Sequence, residues 1–471
     1  MPAHSESELA FLSIEQAARL LRRKEISPLD LVEAALARIE RFNPVINAFI
    51  TVVADRARRQ ARLAEKQIRQ GRALGPLCGI PISIKDNFST RGVRTTAGSR
   101  ILANFVPEES SEVVEKLECA GAILLGKTNM HEFAYGITNE NPHYGAARNP
   151  WDLDRVTGGS SGGSAAALAI GIGYAATGTD TGGSIRIPSA LCGVVGLKPT
   201  FGLVSVEGVV PLAKTLDHAG PMGRSVTDVC ITLEAIAGEY PRGTARPDFR
   251  KLRKIRPRKF RLGRPRQYFF ERLEKEVRDA IESATKSFES LGARIKEVSL
   301  PGLDRSVEPS TNVALAEATQ YHESQGYFPA LAEQYGDDVR HRLELGREVR
   351  AADYLNAWEV KRAITLEFDA AFEQVDAILV PALPIAAPRI GEKEIAIGSE
   401  KETVRSALVR LNRPANLTGH PAISVPCGLT RGGLPIGLQF IGPNYSEAFL
   451  LAIALAYEDA TDWSKRHPKM A

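Results

Sequence analysis

Two serines stand in separate glycine-rich clusters, Ser160 in GGSSGGS and Ser184 in DTGGSIRIP, 24 positions apart. Glycines leave the backbone bare, so a hydroxyl on such a turn is open to a substrate and nearby N–H groups can face a developing negative charge. That combination suits acyl transfer. A serine needs a base to become a nucleophile at neutral pH, and no histidine is tied to either cluster. A lysine of lowered pKa can serve instead. Lys85 closes the apolar run GIPISI, 75 positions before Ser160, and a lysine at the mouth of a buried strand is held partly desolvated, which disfavours its charged form. Taken singly, the same residues also read as two tight turns and a surface lysine in a KDN turn.

Three short patterns in the same region imitate known sites. GAILLGKT, Gly121 to Thr128, matches the phosphate-loop expression, but its four intervening residues are apolar and form the strand itself, after the helical VVEKLECA. GIGYAA, Gly171 to Ala176, imitates a dinucleotide fingerprint inside what reads as a small-residue helix. Gly159, Ser161 and Gly163 fit GxSxG, which would make Ser161 the nucleophile of a strand-to-helix elbow. The upstream RNPWDLDRVTG reads as loop rather than an apolar strand, and His218, His322, His341 and His420 carry no distinguishing context. All three patterns are set aside.

The elements that must hold these residues alternate helix and strand. Ser13 with Gln16 makes a capping box, and Ser27-Pro28-Leu29-Asp30 sets an N-cap, a proline at the first helical position and an acid near the positive helix end. Two amphipathic helices ending near Lys24 and Phe42 follow, then a charged surface helix over roughly Ala54 to Gln70. SSEVVEKLECAG has helical spacing, AILLG is a short buried strand, and SAAALAIGIGYAA reads as an Ala-rich helix. DAILVP, PAISVP and LPIGLQFIG are strand runs divided by Pro and Gly, with helix around Glu367 to Phe372 before the first. The sum is an α/β fold with a large mixed β-sheet.

The segments GIPISIKDN, GKTNMHEFAYG, NPWDLDR, GGSSGGSAAALAIG and DTGGSIRIPSALCGVVGLKPTFG together resemble the amidase signature family, and the similarity runs from the first helices to PAISVPCG and LPIGLQFIG. The resemblance implies one amidase domain over residues 1–471, a mixed sheet covered by helices on both faces. Its helical part spans about 7–70, its signature core 75–235, a basic junction 250–266, a second lobe 267–400, and C-terminal strands and helix 401–465. It also implies roles: Ser184 as the acyl-forming nucleophile, Ser160 as a bridging serine held by a cis peptide bond, and Lys85 as the terminal base. The N–H groups of Thr181, Gly182 and Gly183, with that of Ser184, would meet the oxyanion. Asp180 and Arg186 would pair to fix the loop, Ser161 would support it, and Phe133, Ala134 and Tyr135 would line the acyl pocket. This chemistry needs no cofactor and no metal.

Composition bounds the remaining choices. At 44% hydrophobic and 25% charged residues the chain is ordinary for a soluble globular protein. No apolar stretch approaches a membrane span, and the N-terminus lacks a secretory pattern, so a cytoplasmic protein is expected. Cys78, Cys119, Cys192, Cys230 and Cys427 are scattered and read as small apolar fillers. The basic run from Arg250 to Arg266 lacks interleaved aromatics for base stacking and reads as a solvated link. The expected function is a free-standing amidase cutting small or aryl amides, and carbamates or esters as well. Its partner would be the small-molecule substrate alone, with no nucleic acid or membrane, and a homodimer is the default assembly. A second reading is the glutaminase subunit of a tRNA-dependent amidotransferase, which should bind glutamine with an acid and an arginine. Arg342 fits the arginine, but Val409 stands where the acid is expected, which favours the first reading. A third, a non-catalytic scaffold, conflicts with the presence of Lys85, Ser160 and Ser184.

Overall fold

The computed structural model describes residues 5–71, 75–255 and 260–470. Eleven strands form one sheet in the order Phe49–Val52, Ile123–Thr128, Pro81–Lys85, Ala175–Asp180, His218–Gly223, Val195–Lys198, Ala422–Leu429, Pro435–Ile441, Ala377–Pro381, Arg261–Pro265, Arg294–Val298. Pro81–Lys85 and Arg261–Pro265 each run parallel to both neighbours, and the other pairs are antiparallel. Helices cover the sheet, and the largest apolar core reaches from Leu9 to Tyr457. The central strands Pro81–Lys85, Ala175–Asp180 and Pro435–Ile441 are buried at every position. This is the reason they appear as continuous apolar or small-residue runs rather than alternating ones.

The N-terminal helices start where their caps place them. Ser13 accepts from Gln16 N–H at 3.1 Å while Gln16 Oε1 accepts from Ser13 N–H at 2.8 Å, and Ser27 and Asp30 repeat the exchange. The helix Ile14–Arg23 stops at Lys24, which takes a left-handed conformation. Pro28–Ile46 runs four residues past the expected end at Phe42, because Ile46 is buried in the core, and Pro44 in the last turn forgoes only its own N–H bond to the preceding turn. The third helix spans Ala54–Arg69.

Three sequence expectations are corrected. The Ala-rich helix is only Gly162–Ala169; Gly171 and Gly173 have φ of 74° and 72°, and the chain turns there into the strand Ala175–Asp180. GIGYAA is therefore a turn entering a strand, not a stretch of helix. Asp152–Val156, expected as loop, pairs with Arg148–Asn149 in a separate two-stranded sheet. The basic run is not simply a link: Arg261–Pro265 is a strand of the main sheet, and Arg261, Arg264 and Arg266 pair with Asp376, Glu282 and Glu297. Positions 256–259 of that run lie outside the described residues. Cys78, Cys192, Cys230 and Cys427 are buried as expected of fillers, whereas Cys119 is exposed. Among the described residues no helix is long and apolar enough to cross a membrane.

Candidate active site

The parallel register of Pro81–Lys85 against Ala175–Asp180 sets Ile82 beside Ala175 and Ser83 beside Ala176. Both strands thus deliver their C-terminal ends to one edge, the place where open α/β sheets build sites. Lys85, fully buried, has its Nζ 2.7 Å from Ser160 Oγ and 2.6 Å from Thr179 Oγ1. Neither partner is a carboxylate. Burial lowers the ammonium to about 7, against the opposing pull of Asp180 and Asp217.

Ser160 sits on the turn into the helix Gly162–Ala169, and the Gly159–Ser160 peptide bond is cis. The glycines around it are required by close approach. A Cβ on Gly159 would lie 2.9 Å from Asn139 N, and one on Gly163 would lie 2.4 Å from Asn129 O. Ser161 points elsewhere: its hydroxyl donates to Thr179 O at 3.3 Å and its N–H to Ser184 O at 3.2 Å. Its hydroxyl is turned to the sheet, while its amide ties the two serine loops together.

The Ser184 loop is fixed from below by Asp180. That carboxylate accepts from Gly183 N–H at 2.8 Å, Ile185 N–H at 3.1 Å, Arg186 Nε at 3.0 Å and Asn416 Nδ2 at 2.8 Å. Burial alone would raise its pKa, but the Arg186 charge and these hydrogen bonds hold it well below the ordinary range. The Gly183 N–H is thus spent on Asp180, whereas those of Thr181, Gly182 and Ser184 make no hydrogen bond to a described residue. Gly183, at φ 123°, would place a Cβ 2.7 Å from Ile187 Cδ1; a Cβ on Gly182 would meet only Arg413 Cγ, at 3.9 Å. The Gly182 side therefore faces open space and the Gly183 side faces packed core.

Ser184 opens into a narrow cavity of about 40 Å³, lined among others by Ala134, Tyr135, Thr181, Gly182, Arg405 and Arg413. At roughly 10–15 Å³ per probe-sized water, this is room for a few atoms of chain. Phe133, expected with Ala134 and Tyr135, is instead packed edge-on to His322 at 4.4 Å in an aromatic cluster. Arg342 does not line the cavity: its Nη2 donates to Tyr135 O and to Asp338 Oδ2. Val409 lines it, between Arg405 and Arg413.

Several site residues escaped the sequence reading. Thr179 shares Lys85. Asp217 accepts from Thr181 Oγ1 at 2.5 Å and from Leu212 N–H at 2.8 Å and Ala213 N–H at 3.1 Å, joining the Ser184 loop to the cavity wall. Burial raises its carboxyl to about 6, against those hydrogen bonds. The phosphate-loop lysine, Lys127, is buried on the strand Ile123–Thr128, where its Nζ donates to Thr95 Oγ1 at 2.8 Å and lies 3.7 Å from Asp86.

The family model for Amidase matches residues 30–451. The chain belongs to the Amidase family. The A subunit of the glutamyl-tRNA(Gln) amidotransferase of Geotalea daltonii is 42% identical to this Amidase member, over 98% of this chain and 99% of its own. The solved A subunit of the Thermotoga maritima glutamyl-tRNA(Gln) amidotransferase is 35% identical with a TM-score of 0.80, covering 96% of each chain. A solved chain from a vestigial protein complex that bears on the origins of an s-triazine catabolic enzyme has a TM-score of 0.89 at 33% identity, covering 95% of this chain and 98% of its own.

Eight relatives, 39% to 42% identical over nearly full length, are all A subunits of glutamyl-tRNA(Gln) amidotransferases. They overturn two expectations, the free-standing hydrolase of small or aryl amides and the small-molecule partner without nucleic acid. Val409, a single residue of the cavity wall, decides neither. One wall residue alters what a pocket holds, whereas assembly and substrate delivery depend on surface spread over the whole chain, to which a local motif is blind.

Proposed function

We propose that this chain cleaves a carboxamide C–N bond as the A subunit of an amidotransferase of the glutamyl-tRNA(Gln) kind, releasing the nitrogen for transfer. The observation that carries the chemistry is Lys85: a buried amine with no carboxylate partner, brought to about 7 by burial and set 2.7 Å from a serine hydroxyl. Such an amine is substantially neutral at physiological pH and is matched to proton transfer there. The subunit role is supported by the eight relatives of like name.

In this reading Ser184 Oγ attacks the amide carbon and its proton passes to Ser160 Oγ, whose own proton passes to Lys85 Nζ. The new C–O bond places negative charge on the former carbonyl oxygen, which the N–H groups of Thr181, Gly182 and Ser184 meet. Gly183 supports that turn through Asp180 rather than donating. Collapse breaks the C–N bond, and the relay runs backward from Lys85 through Ser160 to protonate the departing nitrogen. Water then attacks the acyl-enzyme by the same route and frees the acid. Ser161, Asp180 and Arg186 act as supports, and Ala134 and Tyr135 as cavity wall. We place this work in the cytoplasm and treat the chain as one domain, since strands from both halves share one sheet.

The test is transfer itself. The tagged chain is purified from its host with whatever subunits accompany it, then given glutamyl-tRNA(Gln) and amide-¹⁵N donors, namely glutamine and glutarate monoamide. Appearance of ¹⁵N in glutaminyl-tRNA, abolished by Ser184→Ala, is the expected result. Transfer that persists at full rate in Ser184→Ala, or no transfer with either donor, would overturn the reading.

A further inference from the structure

Arg405, Val409 and Arg413 are spaced four apart, in the successive short helices Val404–Arg410 and Arg413–Thr418, and all three line the cavity at Ser184. Positions four apart on a helix lie on one face, so an acid at 409 would stand within reach of Arg405. Valine leaves the cations uncompensated there. Among the described residues no Asp or Glu lines the cavity, and Arg405 has no hydrogen-bond or ion-pair partner. Arg413 donates from Nη1 to Val307 O at 3.1 Å and to Thr311 Oγ1 at 2.6 Å, and among the described residues its other side-chain nitrogens make no hydrogen bond.

A nearby acid, Asp338, is taken by His131 Nε2 at 3.0 Å and Arg342 Nη2 at 2.5 Å. A separate observation points the same way. Tyr135, also in the wall, has a buried hydroxyl with no hydrogen-bond partner among the described residues, a state that is unfavourable unless something satisfies it. Burial raises that phenol to about 12, so it stays a donor, while burial together with Arg342 and Arg413 lowers Arg405 only to about 9, so it stays a cation. Arg405, Arg413 and Tyr135 thus share the wall of one small space whose described lining carries no carboxylate, and Asp338, which pulls the Arg405 pKa upward, is already engaged by His131 and Arg342. Guanidinium forks match planar carboxylates.

We propose that the cavity beside Ser184 takes the carboxylate of a short dicarboxylic acid monoamide, held by Arg405, Arg413 and the Tyr135 hydroxyl, and that it has no place for an α-ammonium group. The inference rests on the reading of this cavity as the acyl pocket. It makes the amide donor a compound such as glutarate or succinate monoamide, with glutamine disfavoured because its ammonium would sit against two like charges with no acid to meet it.

Binding separates this from the chemistry. The full chain carrying Ser184→Ala is titrated calorimetrically with glutarate monoamide, glutamine and the uncharged butyramide. The expected order is glutarate monoamide at least tenfold tighter than glutamine and at least a hundredfold tighter than butyramide. Adding Arg405→Ala should erase most of the margin over butyramide, and adding Val409→Asp should shift the preference toward glutamine by tenfold or more. Equal or tighter binding of glutamine by the unaltered cavity, or margins indifferent to both changes, would overturn the proposal. Selective binding of glutarate monoamide with no hydrolysis of any amide by the Ser184-containing chain would instead overturn the proposed reaction and leave this site standing.

Discussion

Lys85 Nζ and Ser160 Oγ lie 2.7 Å apart in a fully buried setting, with Thr179 Oγ1 2.6 Å from the same amine. The neutral amine is the form that can accept a proton, and burial brings its pKa to about 7. Amide cleavage should therefore rise with pH through about 7 and level off above it. Lys85→Ala should lower kcat by about 10²–10⁴-fold, the usual worth of a positioned base, and flatten that ascending limb. Initial rates from pH 5.5 to 9 on both proteins check this; an unchanged limb in the variant would assign it to another group.

Asp217 tests whether the surrounding charges set that limb. Its carboxylate raises the Lys85 pKa, so removing the charge should favour the neutral amine further. Asp217→Asn keeps an acceptor for Thr181 Oγ1 and should move the midpoint of the ascending limb to lower pH. A fall in kcat with the midpoint unmoved would reduce Asp217 to a clamp on the loop.

The candidate site was legible in the sequence because Ser184, Ser160 and Lys85 sit on glycine or strand motifs, and the strands Ala377–Pro381, Ala422–Leu429 and Pro435–Ile441 announce themselves as apolar runs. The pocket was not. Its wall gathers Tyr135, Leu212, Ser310 and Arg405 from four distant segments, and no periodicity marks a side chain whose partner is two hundred residues away. Thr179 is one small residue among several in the strand Ala175–Asp180, and its contact with Lys85 depends on the parallel register of two strands. The Ala-rich helix shows a different limit. Apolar and small residues continue unbroken past Ala169, so composition gives no boundary, and the positive φ of Gly171 and Gly173 marks where the chain turns.

Gly182 and Gly183 should separate under the same substitution. An alanine at Gly183 needs a Cβ 2.7 Å from Ile187 Cδ1 and 2.8 Å from Asn412 Cβ at a φ of 123°, so Gly183→Ala should destabilise by about 1–3 kcal/mol as overpacking does, and should distort the nucleophile loop. An alanine at Gly182 meets only Arg413 Cγ, at 3.9 Å. Gly182→Ala should keep the melting temperature and instead raise KM, because its methyl enters the cavity. Thermal melts and steady-state kinetics on the pair distinguish the two effects.

Asp180 joins the Ser184 loop to Arg186 and Asn416 with every partner buried. Removing one side of a buried ion pair leaves the other charge without compensation, so Asp180→Ala should cost about 3–5 kcal/mol in chemical denaturation. The pH dependence has a fixed sign. Burial pushes the folded-state pKa of Asp180 upward, but Arg186 and the hydrogen bonds outweigh it and hold the group below the ordinary 3.8. Its contribution is therefore complete above that value and is lost as pH falls through the depressed one. Wild-type stability should decline in that acid range, and Asp180→Asn, which cannot ionise, should show a smaller decline from a lower starting value. An equally steep decline in Asp180→Asn would place the acid sensitivity on other carboxylates.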